Sequence, residues 1–484
     1  MSRITRRARL RRAPIAALLG LALVVGGSFV ATSASYAAAQ HGLAVVKGCD
    51  SPTTVGQKTS CGFGIYNNQS DPDTLTITSL VDVVHGAAGD DSSGNILSQL
   101  DLVFSGGASC NVGQTVCTIP VGGSIETNAN FAYHTVTAAD VASANPLPDT
   151  VTLTWTDTCN SGSPNCPVGP QTATTGSQTT LQKAPSSTTT TILKNSDGSV
   201  IPTPFVVAAG TVIRDKATVT GTVGGPTRTG TVTFDFFTNG TCAGTPDSTS
   251  SPVTMASGVA DATGFTKTLA TAGSYGFLAH YSGDGYYSSS NGPCEPIYAV
   301  DARIKIQSTA TNEVGNPHTF TVTLETNDGT GWVAASGESV TTSLTDTNGA
   351  VAGVNAGAST CAPPGGTLDG SGQCTIVFQS GSAGVTTGNA SWTGTVGGVS
   401  FTRATNGNSG AGGTGPAVKT WIDGRIKVTP SATNEVGNAH TFDVTVEQNA
   451  GGGSWAPAVG VTVTASLVPG ISGATITGGT CASG

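Results

Sequence analysis

Apolar and polar residues alternate with a period of two along most of this chain. In residues 319–324, Phe320, Val322 and Leu324 occupy one side and threonines occupy the other. Residues 150–155, 231–236 and 461–465 show the same alternation. A period of two predicts strands with one buried and one solvated face, as in antiparallel sheets. Clusters of Gly, Asn, Asp and Pro separate the strands at short intervals, which predicts an all-β fold of antiparallel sandwiches.

A long internal repeat divides the second half of the chain. Residues 303–328 and 425–450 are identical at 17 of 26 positions without a gap, at an offset of 122 residues. This period is too long for a solenoid unit, so it predicts tandem domains. Trp332 matches Trp455, and Cys361 matches Cys481. The counterpart of Cys374 would fall beyond residue 484, so we expect the second copy to be truncated.

Composition predicts the domain boundaries. Residues 184–191 read APSSTTTT and predict an extended linker, and residues 406–422 contain a Gly-rich run that predicts a flexible one. The predicted units are a signal peptide at 1–39, a six-cysteine sandwich at 40–183, a second sandwich domain at 192–300, a repeat A at 301–405 and a truncated repeat B at 423–484.

The first 39 residues have the features of a secretory signal. Six arginines precede Pro14, an apolar run extends from residue 15 to about 31, and small residues at 35–39 suit cleavage after Ala39. An uncleaved anchor helix is the alternative. With cleavage, we expect a secreted or cell-surface protein whose mature chain does not insert into a membrane.

Charge restricts the classes of partner. The charged fraction is 10%, against about 25% in ordinary domains. The net charge of −9 includes the six arginines of the signal, so the rest of the chain has 20 − 6 = 14 basic residues against 29 acidic ones. An acidic chain without a basic patch disfavours binding to nucleic acid or anionic lipid.

The cysteines also indicate export. No Cys-x-x-Cys pair occurs, which disfavours a tetrahedral zinc site, and a disulfide framework is the simpler interpretation. The six cysteines of the first domain alone allow 15 connectivities, so pairing between sequence neighbours remains an inference. The candidate neighbours are Cys49 with Cys61, Cys110 with Cys117, Cys159 with Cys166, Cys242 with Cys294, and Cys361 with Cys374, which leaves Cys481 unpaired.

Residues 188–300 resemble the bacterial Ig-like repeats of group 3. The segments GTVTF at 230–234, GSYGF at 273–277 and YSGDGYY at 281–287 carry the resemblance. It implies an Ig-like sandwich that a disulfide between Cys242 and Cys294 could cross-link. The repeats after residue 301, with ATNEVGN followed by HTF, resemble Ig-like units of secreted actinobacterial surface proteins and, more distantly, invasin-type units. Residues 40–183 resemble the sandwich domains of surface proteins.

A search for catalytic chemistry finds no constellation. None of the six histidines forms a His-x-x-x-His pair, and no Gly-x-Ser-x-Gly elbow occurs. Residues 410–415 fit Gly-x-Gly-x-x-Gly but lack the flanking strand and helix that a dinucleotide site requires. Carboxylates at 90–91, 195–198 and 346–349 could bind calcium, although Asp and Asn before Gly are more often turn residues. We therefore predict no catalytic, cofactor-binding or metal-binding residue.

These observations predict a non-catalytic extracellular stalk, structural array or adhesin. Its partners are unknown, with cell-wall glycan and host or neighbouring surface proteins as the candidates. The alternative is that the chain is the accessory Ig-like region of a secreted glycan- or protein-degrading enzyme whose catalytic domain lies outside it.

Overall fold

The structure is a computed structural model that describes residues 41–159, 166–307, 309–468 and 473–483. The predicted signal peptide lies outside the described residues. Within these ranges the chain is nearly all β and forms successive antiparallel Ig-like sandwiches, which confirms the predicted fold class. No helix in the described ranges has the length and apolar character needed to cross a membrane.

The first sandwich comprises thirteen described strands, a 3-10 turn at Leu97–Gln99 and a helix α1 at Ala138–Ser143. One sheet has the order β1-β3-β9-β6 with β10 on β3, and the facing sheet has the order β12-β11-β4-β8-β7 with β5 on β4. The short strands β2 and β13 pair in parallel. The strands are β1 Ala44–Cys49, β2 Thr53–Thr54, β3 Lys58–Tyr66, β4 Leu75–Gly86, β5 Gly89–Asn95, β6 Leu102–Ser105, β7 Ser109–Cys110, β8 Cys117–Ile119, β9 Ser124–Thr127, β10 Phe131–Thr135, β11 Leu147–Asp157, β12 Gln171–Thr179 and β13 Leu181–Gln182.

In the second sandwich, β14-β16-β20 with β21 on β16 faces β18-β17-β22-β24. The alternation places Val232, Phe234 and Phe236 of β17 in the core. The strands are β14 Ser186–Lys194, β15 Val206–Ala208, β16 Val212–Gly221, β17 Thr231–Phe237, β18 Ser248–Thr249, β19 Val253–Thr254, β20 Val259–Asp261, β21 Lys267–Thr268, β22 Gly273–Tyr281, β23 Ser290–Asn291 and β24 Glu295–Gln307.

The predicted linker at 184–191 is wrong, because most of it belongs to β14. This strand pairs antiparallel with β16 from Ser186 opposite Gly221 to Lys194 opposite Ile213. The Thr-rich segment is extended as expected, but Thr has a high strand propensity and here completes a sheet.

The third sandwich packs β24-β26-β31-β29 against β30-β28-β32-β34. Phe320, Val322 and Leu324 of β26 are fully buried, as the alternation predicts. The strands are β25 Ala310–Glu313, β26 His318–Asn327, β27 Trp332–Ala334, β28 Ser339–Thr347, β29 Ala352–Val354, β30 Gly365–Thr367, β31 Gln373–Ser380, β32 Gly384–Val396, β33 Val399–Ala404 and β34 Ala417–Thr429.

The second repeat copy differs in its packing from the first. Its sheet of β34, β35 (Asp443–Asn449) and β36 (Ala456–Pro457) has no facing sheet among the described residues. Phe442 is therefore 53% exposed, whereas its repeat counterpart Phe320 is fully buried. The strand predicted at 461–465 is reduced to β37 (Thr464–Ala465), which pairs with β38 (Ala482–Ser483).

Candidate functional site: the junctions between sandwiches

One strand, β24, belongs to both the second and the third sandwich. Its residues 295–299 pair antiparallel with β22, and its residues 301–307 pair antiparallel with β26. Val300, between these two stretches, is fully buried. Because one extended strand is hydrogen-bonded into two successive sheets, no flexible connector separates these sandwiches.

The next junction repeats this arrangement. Residues 417–421 of β34 pair with β32 of the third sandwich, and residues 423–429 pair with β35 of the second repeat copy. Trp421, at the end of the first stretch, is fully buried, and its Nε1 donates to Thr386 Oγ1 at 3.0 Å. A strand shared by two successive units therefore occurs at the start of both repeat copies.

The Gly-rich segment at 406–422, predicted to be a flexible linker, packs against the shared strand β24, and its end is part of β34. The Thr414 hydroxyl accepts a hydrogen bond of 2.8 Å from the backbone N–H of Ile306. Gly410 has a φ of +84°, and a Cβ there would lie 2.1 Å from the carbonyl oxygen of Ala302. Glycine is thus required for close approach of two backbones, so the prediction of a flexible linker is wrong.

An ion pair fixes the centre of β24 to the third sandwich. The guanidinium of Arg403, on β33, contacts the Asp301 carboxylate, and its Nε donates to the carbonyl oxygen of Ala302 at 2.6 Å. The side chains of Asp301 and Arg403 are only 9% and 11% exposed. A charge-assisted contact with so little solvent orients the β32–β33 hairpin on the junction.

The first and second sandwiches also meet without a free connector. The Ala184 N–H donates to the Tyr286 carbonyl at 2.9 Å, and the Ser288 N–H donates to the Ala184 carbonyl at 2.9 Å. A Cβ at Gly56 would lie 2.1 Å from the Tyr286 hydroxyl, so the turn before β3 approaches the second sandwich closely. The fully buried Tyr287 belongs to one apolar cluster that spans both sandwiches. That cluster includes Val55, Leu147 and Leu181 of the first sandwich and Val219, Val232 and Tyr281 of the second.

A cationic side chain stacks on an aromatic ring just beyond the junction at β24. The Arg303 guanidinium carbon lies 4.1 Å from the centre of the Trp332 ring. Arg303 Nε and Lys305 Nζ each donate to Glu325 at 2.7 Å. The hydrogen bond from Arg303, the largest cause, lowers the pKa of Glu325 to about 2. This group attaches the Trp332 segment to its own sheet.

The second repeat copy contains the same cluster. Arg425 lies 4.0 Å from the centre of the Trp455 ring, and its Nε donates to Glu447 at 2.7 Å. Lys427 contacts the same carboxylate at 2.8 Å. This cluster was not among the predicted site residues. Its signal was present, because Arg, Lys, Glu and Trp recur at equivalent positions of both copies.

All five predicted neighbour disulfides are formed. The bonds join Cys49 to Cys61, Cys110 to Cys117, Cys159 to Cys166, Cys242 to Cys294, and Cys361 to Cys374. Cys481 is the free cysteine of the described residues. The Cys242–Cys294 bond lies directly before β24, and the Cys361–Cys374 bond lies within the third sandwich's core cluster.

The carboxylates considered for calcium make local hydrogen bonds. Asp90 pairs with His85 at 2.6 Å, Asp91 with His134 at 2.9 Å, Asp346 with the Thr386 hydroxyl at 2.6 Å, and Asp197 with the Ser199 N–H at 2.9 Å. Other groups of the described residues have potential ligand atoms close together, and two of them share His41, one with Asp71 and Asp73 and one with Asp157 and Cys166. The His41 ring lies between two carboxylates, with Nδ1 at 3.1 Å from Asp157 and Nε2 at 3.6 Å from Asp71.

Comparison with known proteins adds low similarities only. No protein-family profile matches the chain, and no curated protein matches it. An alpha-2-macroglobulin of E. coli matches 80% of this chain at 9% identity and a TM-score of 0.24. This match spans 24% of the macroglobulin's own length. An Escherichia coli adhesin matches 82% of this chain and 98% of its own, at 12% identity and a TM-score of 0.25. A tetra-tandem repeat from the extending region of a large adhesion protein matches 81% of this chain and 78% of its own, at 13% identity and a TM-score of 0.26. TM-scores this low carry no argument about function. The function proposed below rests on the contacts within this chain.

Proposed function

We propose that this chain is a non-catalytic extracellular array of Ig-like sandwiches that acts as a stiff stalk at the cell surface. The observation that carries the proposal is that β24 and β34 each belong to two successive units. A pull along the chain is transmitted directly from one sheet to the next. The ordered Gly-rich segment and the Asp301–Arg403 ion pair support the same role.

Export is supported by the cysteines. Ten of the eleven cysteines are in disulfides, and such bonds persist in oxidising compartments outside the cytosol. The predicted signal at residues 1–39 would provide the route. The resemblance of residues 188–300 to group 3 bacterial Ig-like repeats agrees with a surface location.

Stiffness is the property that tests the proposal. Small-angle X-ray scattering of the full chain is compared with that of a variant carrying a Gly-Ser-Gly-Ser insertion between Val300 and Asp301. The control carries the same insertion after Gly370, in the exposed turn between β30 and β31. We expect the junction insertion to broaden the distribution of interatomic distances and the control to leave it unchanged. A natural chain already as flexible as the junction variant would overturn the stalk.

Location is tested separately. Intact cells expressing the full chain are treated with a membrane-impermeant amine label, and the cysteines are then titrated with and without reductant. We expect labelled protein with a mature N-terminus near residue 40, with one thiol per chain before reduction, that of Cys481, and eleven after it. Unlabelled protein with all eleven thiols free before reduction would contradict export.

A further inference from the structure

A lysine and two aspartates meet in the core of the first sandwich. Lys47 is on β1, whereas Asp82 and Asp149 are on the neighbouring strands β4 and β11 of the facing sheet. The Lys47 Nζ contacts Oδ1 of both carboxylates. The side chains of Lys47, Asp82 and Asp149 are 0%, 1% and 3% exposed.

The surroundings of this triad are buried and largely apolar. The Lys47 Nζ lies 5.5 Å from the centre of the Phe63 ring. Oδ2 of Asp149 faces the Cys49–Cys61 disulfide, with the two sulfurs at 3.7 and 3.3 Å. An ammonium and a carboxylate in such a core carry a large desolvation cost, which a reaction to neutral products would remove.

The two carboxylates differ in their geometry toward the amine. Lys47 Nζ makes a hydrogen bond to Asp82 Oδ1. Its contact with Asp149 Oδ1 lacks hydrogen-bond geometry, and that oxygen has no hydrogen-bond partner. Asp82 can therefore exchange a proton with the amine through their hydrogen bond. The Asp149 carboxyl contacts the same nitrogen without forming a hydrogen bond to it.

We propose that the first sandwich forms an intramolecular amide bond between Lys47 Nζ and Asp149 Cγ, with Asp82 as the group that transfers the proton. The reaction starts from the Lys47 ammonium, a protonated Asp149 and an ionised Asp82. The ammonium gives a proton to Asp82, and the neutral amine attacks Asp149 Cγ. The Cγ–OH bond breaks, the hydroxyl takes the second nitrogen proton, and water leaves.

Atoms and charge balance without another reactant. The products are a neutral amide, one water and a protonated Asp82. Holding an amine against a carboxyl in a fixed geometry replaces a bimolecular encounter and favours such a condensation.

The protonation states agree with this sequence of steps. Burial, the largest cause, and the charge of the adjacent Asp82 raise the pKa of Asp149 to about 7, although the charge of Lys47 opposes them. Burial also raises the pKa of Asp82, while the charge of Lys47 opposes this. A protonated carboxyl beside an ionised one is the arrangement that the reaction needs.

The bond would be a covalent cross-link between the two sheets of the first sandwich. It would hold the chain together as the disulfides do, but a reductant would not break it. It would close a covalent loop from β1 to β11, so a pull on the chain could not separate these strands. The inference is independent of the stalk proposal, because the bond could form in an array of any function.

Intact-mass spectrometry of the full chain, after reduction and alkylation of its cysteines, tests the inference. We expect a mass below the mature sequence mass by that of one water. Tryptic mapping should find one branched peptide joining the segments around Lys47 and Asp149, with no cleavage after Lys47. A chain of full mass, or a loss of water mapped elsewhere, would overturn the inference.

Matched variants distinguish the two aspartates. Asp82→Asn keeps the shape of the side chain but removes the proton acceptor, so we expect full mass. Asp149→Asn turns the attacked group into an amide, so any bond that forms releases ammonia instead of water. Asp91→Asn, in the same sandwich but half exposed, is the control and should keep the loss of water.

The reverse pattern would overturn the assignment of Asp149, namely loss of ammonia in Asp82→Asn with full mass in Asp149→Asn. Folding is checked in each variant by formation of the Cys49–Cys61 bond beside the triad. The measured mass of the natural chain shows by itself whether the bond has formed.

Discussion

The carboxyl groups of Asp215 and Glu295 interact inside the second sandwich, where they come from its two facing sheets. Asp215 is on β16 and fully buried, and Glu295 opens the shared strand β24 and is 8% exposed. Burial, then the charge of Glu295, raises the pKa of Asp215 to about 8, and burial raises that of Glu295 as well. The pair therefore holds a proton near neutral pH.

This pair predicts a stability that falls with pH. The folded state retains a proton that the unfolded state releases above about pH 4, so the unfolding free energy decreases from there to about pH 8. Asp215→Asn imitates the protonated acid, and we expect it to remove most of the decrease. Calorimetry of the full chain at about pH 5 and about pH 8 measures the effect. The exposed Asp247→Asn is the control, and an unchanged pH dependence in Asp215→Asn would contradict the prediction.

Lys419 is predicted to destabilise the third sandwich. Its side chain is fully buried, its Nζ has no hydrogen-bond partner among the described residues, and it lies 5.1 Å from the Trp421 ring centre. Burial lowers the pKa of its amine, so the unfolding free energy should rise as pH increases toward about 10.

We expect Lys419→Met to stabilise this sandwich by about 1–3 kcal/mol, because it removes an unpaired buried amine. Denaturant unfolding followed by tryptophan fluorescence reports the change, since Trp392 and Trp421 lie in this core. Lys305→Met, which loses only a part-exposed ion pair, should change stability by less than about 1 kcal/mol. A destabilised Lys419→Met variant would show that the amine has a favourable role.

The disulfides are predicted to contribute according to the loops that they close. Cys242 and Cys294 are 52 residues apart, and Cys110 and Cys117 are 7 apart. Replacing each pair by serine should cost about 4 and about 2 kcal/mol, because the longer loop restricts the unfolded chain more. Calorimetric unfolding of both double variants gives the ranking. Equal losses would show that native-state contacts, rather than loop length, determine the contribution.

The contributions of Asp301 and Arg403 to stability are predicted to be coupled. Arg403→Met leaves the Asp301 carboxylate buried and unpaired, so we expect a loss of about 3 kcal/mol. Asp301→Asn added to Arg403→Met should recover part of that loss. A double-mutant cycle from denaturant unfolding measures the coupling, expected at about 1–3 kcal/mol. Strictly additive single changes would indicate that the two side chains act independently.

Much of the fold was predictable because its signals are local. Alternation in residues 231–236 and 319–324 is a property of one strand, and it identifies the buried side without knowledge of the partner strand. The disulfide neighbours were likewise close in sequence, from 7 to 13 residues apart in four of the five pairs. Composition failed at 184–191 and 406–422, since Thr and Gly suit both linkers and sheets and only the partner strand decides.

The sequence by itself determined the β period, the repeat and the acidic, cysteine-containing character of the chain, because each depends on residue type and short spacing. Only the tertiary structure decided that β24 and β34 are shared between units, because the sequence of one strand does not identify the strands that pair with each of its halves. It also decided that Lys47 meets Asp82, 35 residues away, and Asp149 on the facing sheet. Such meetings depend on the register and packing of distant strands, which a pattern along one strand does not contain.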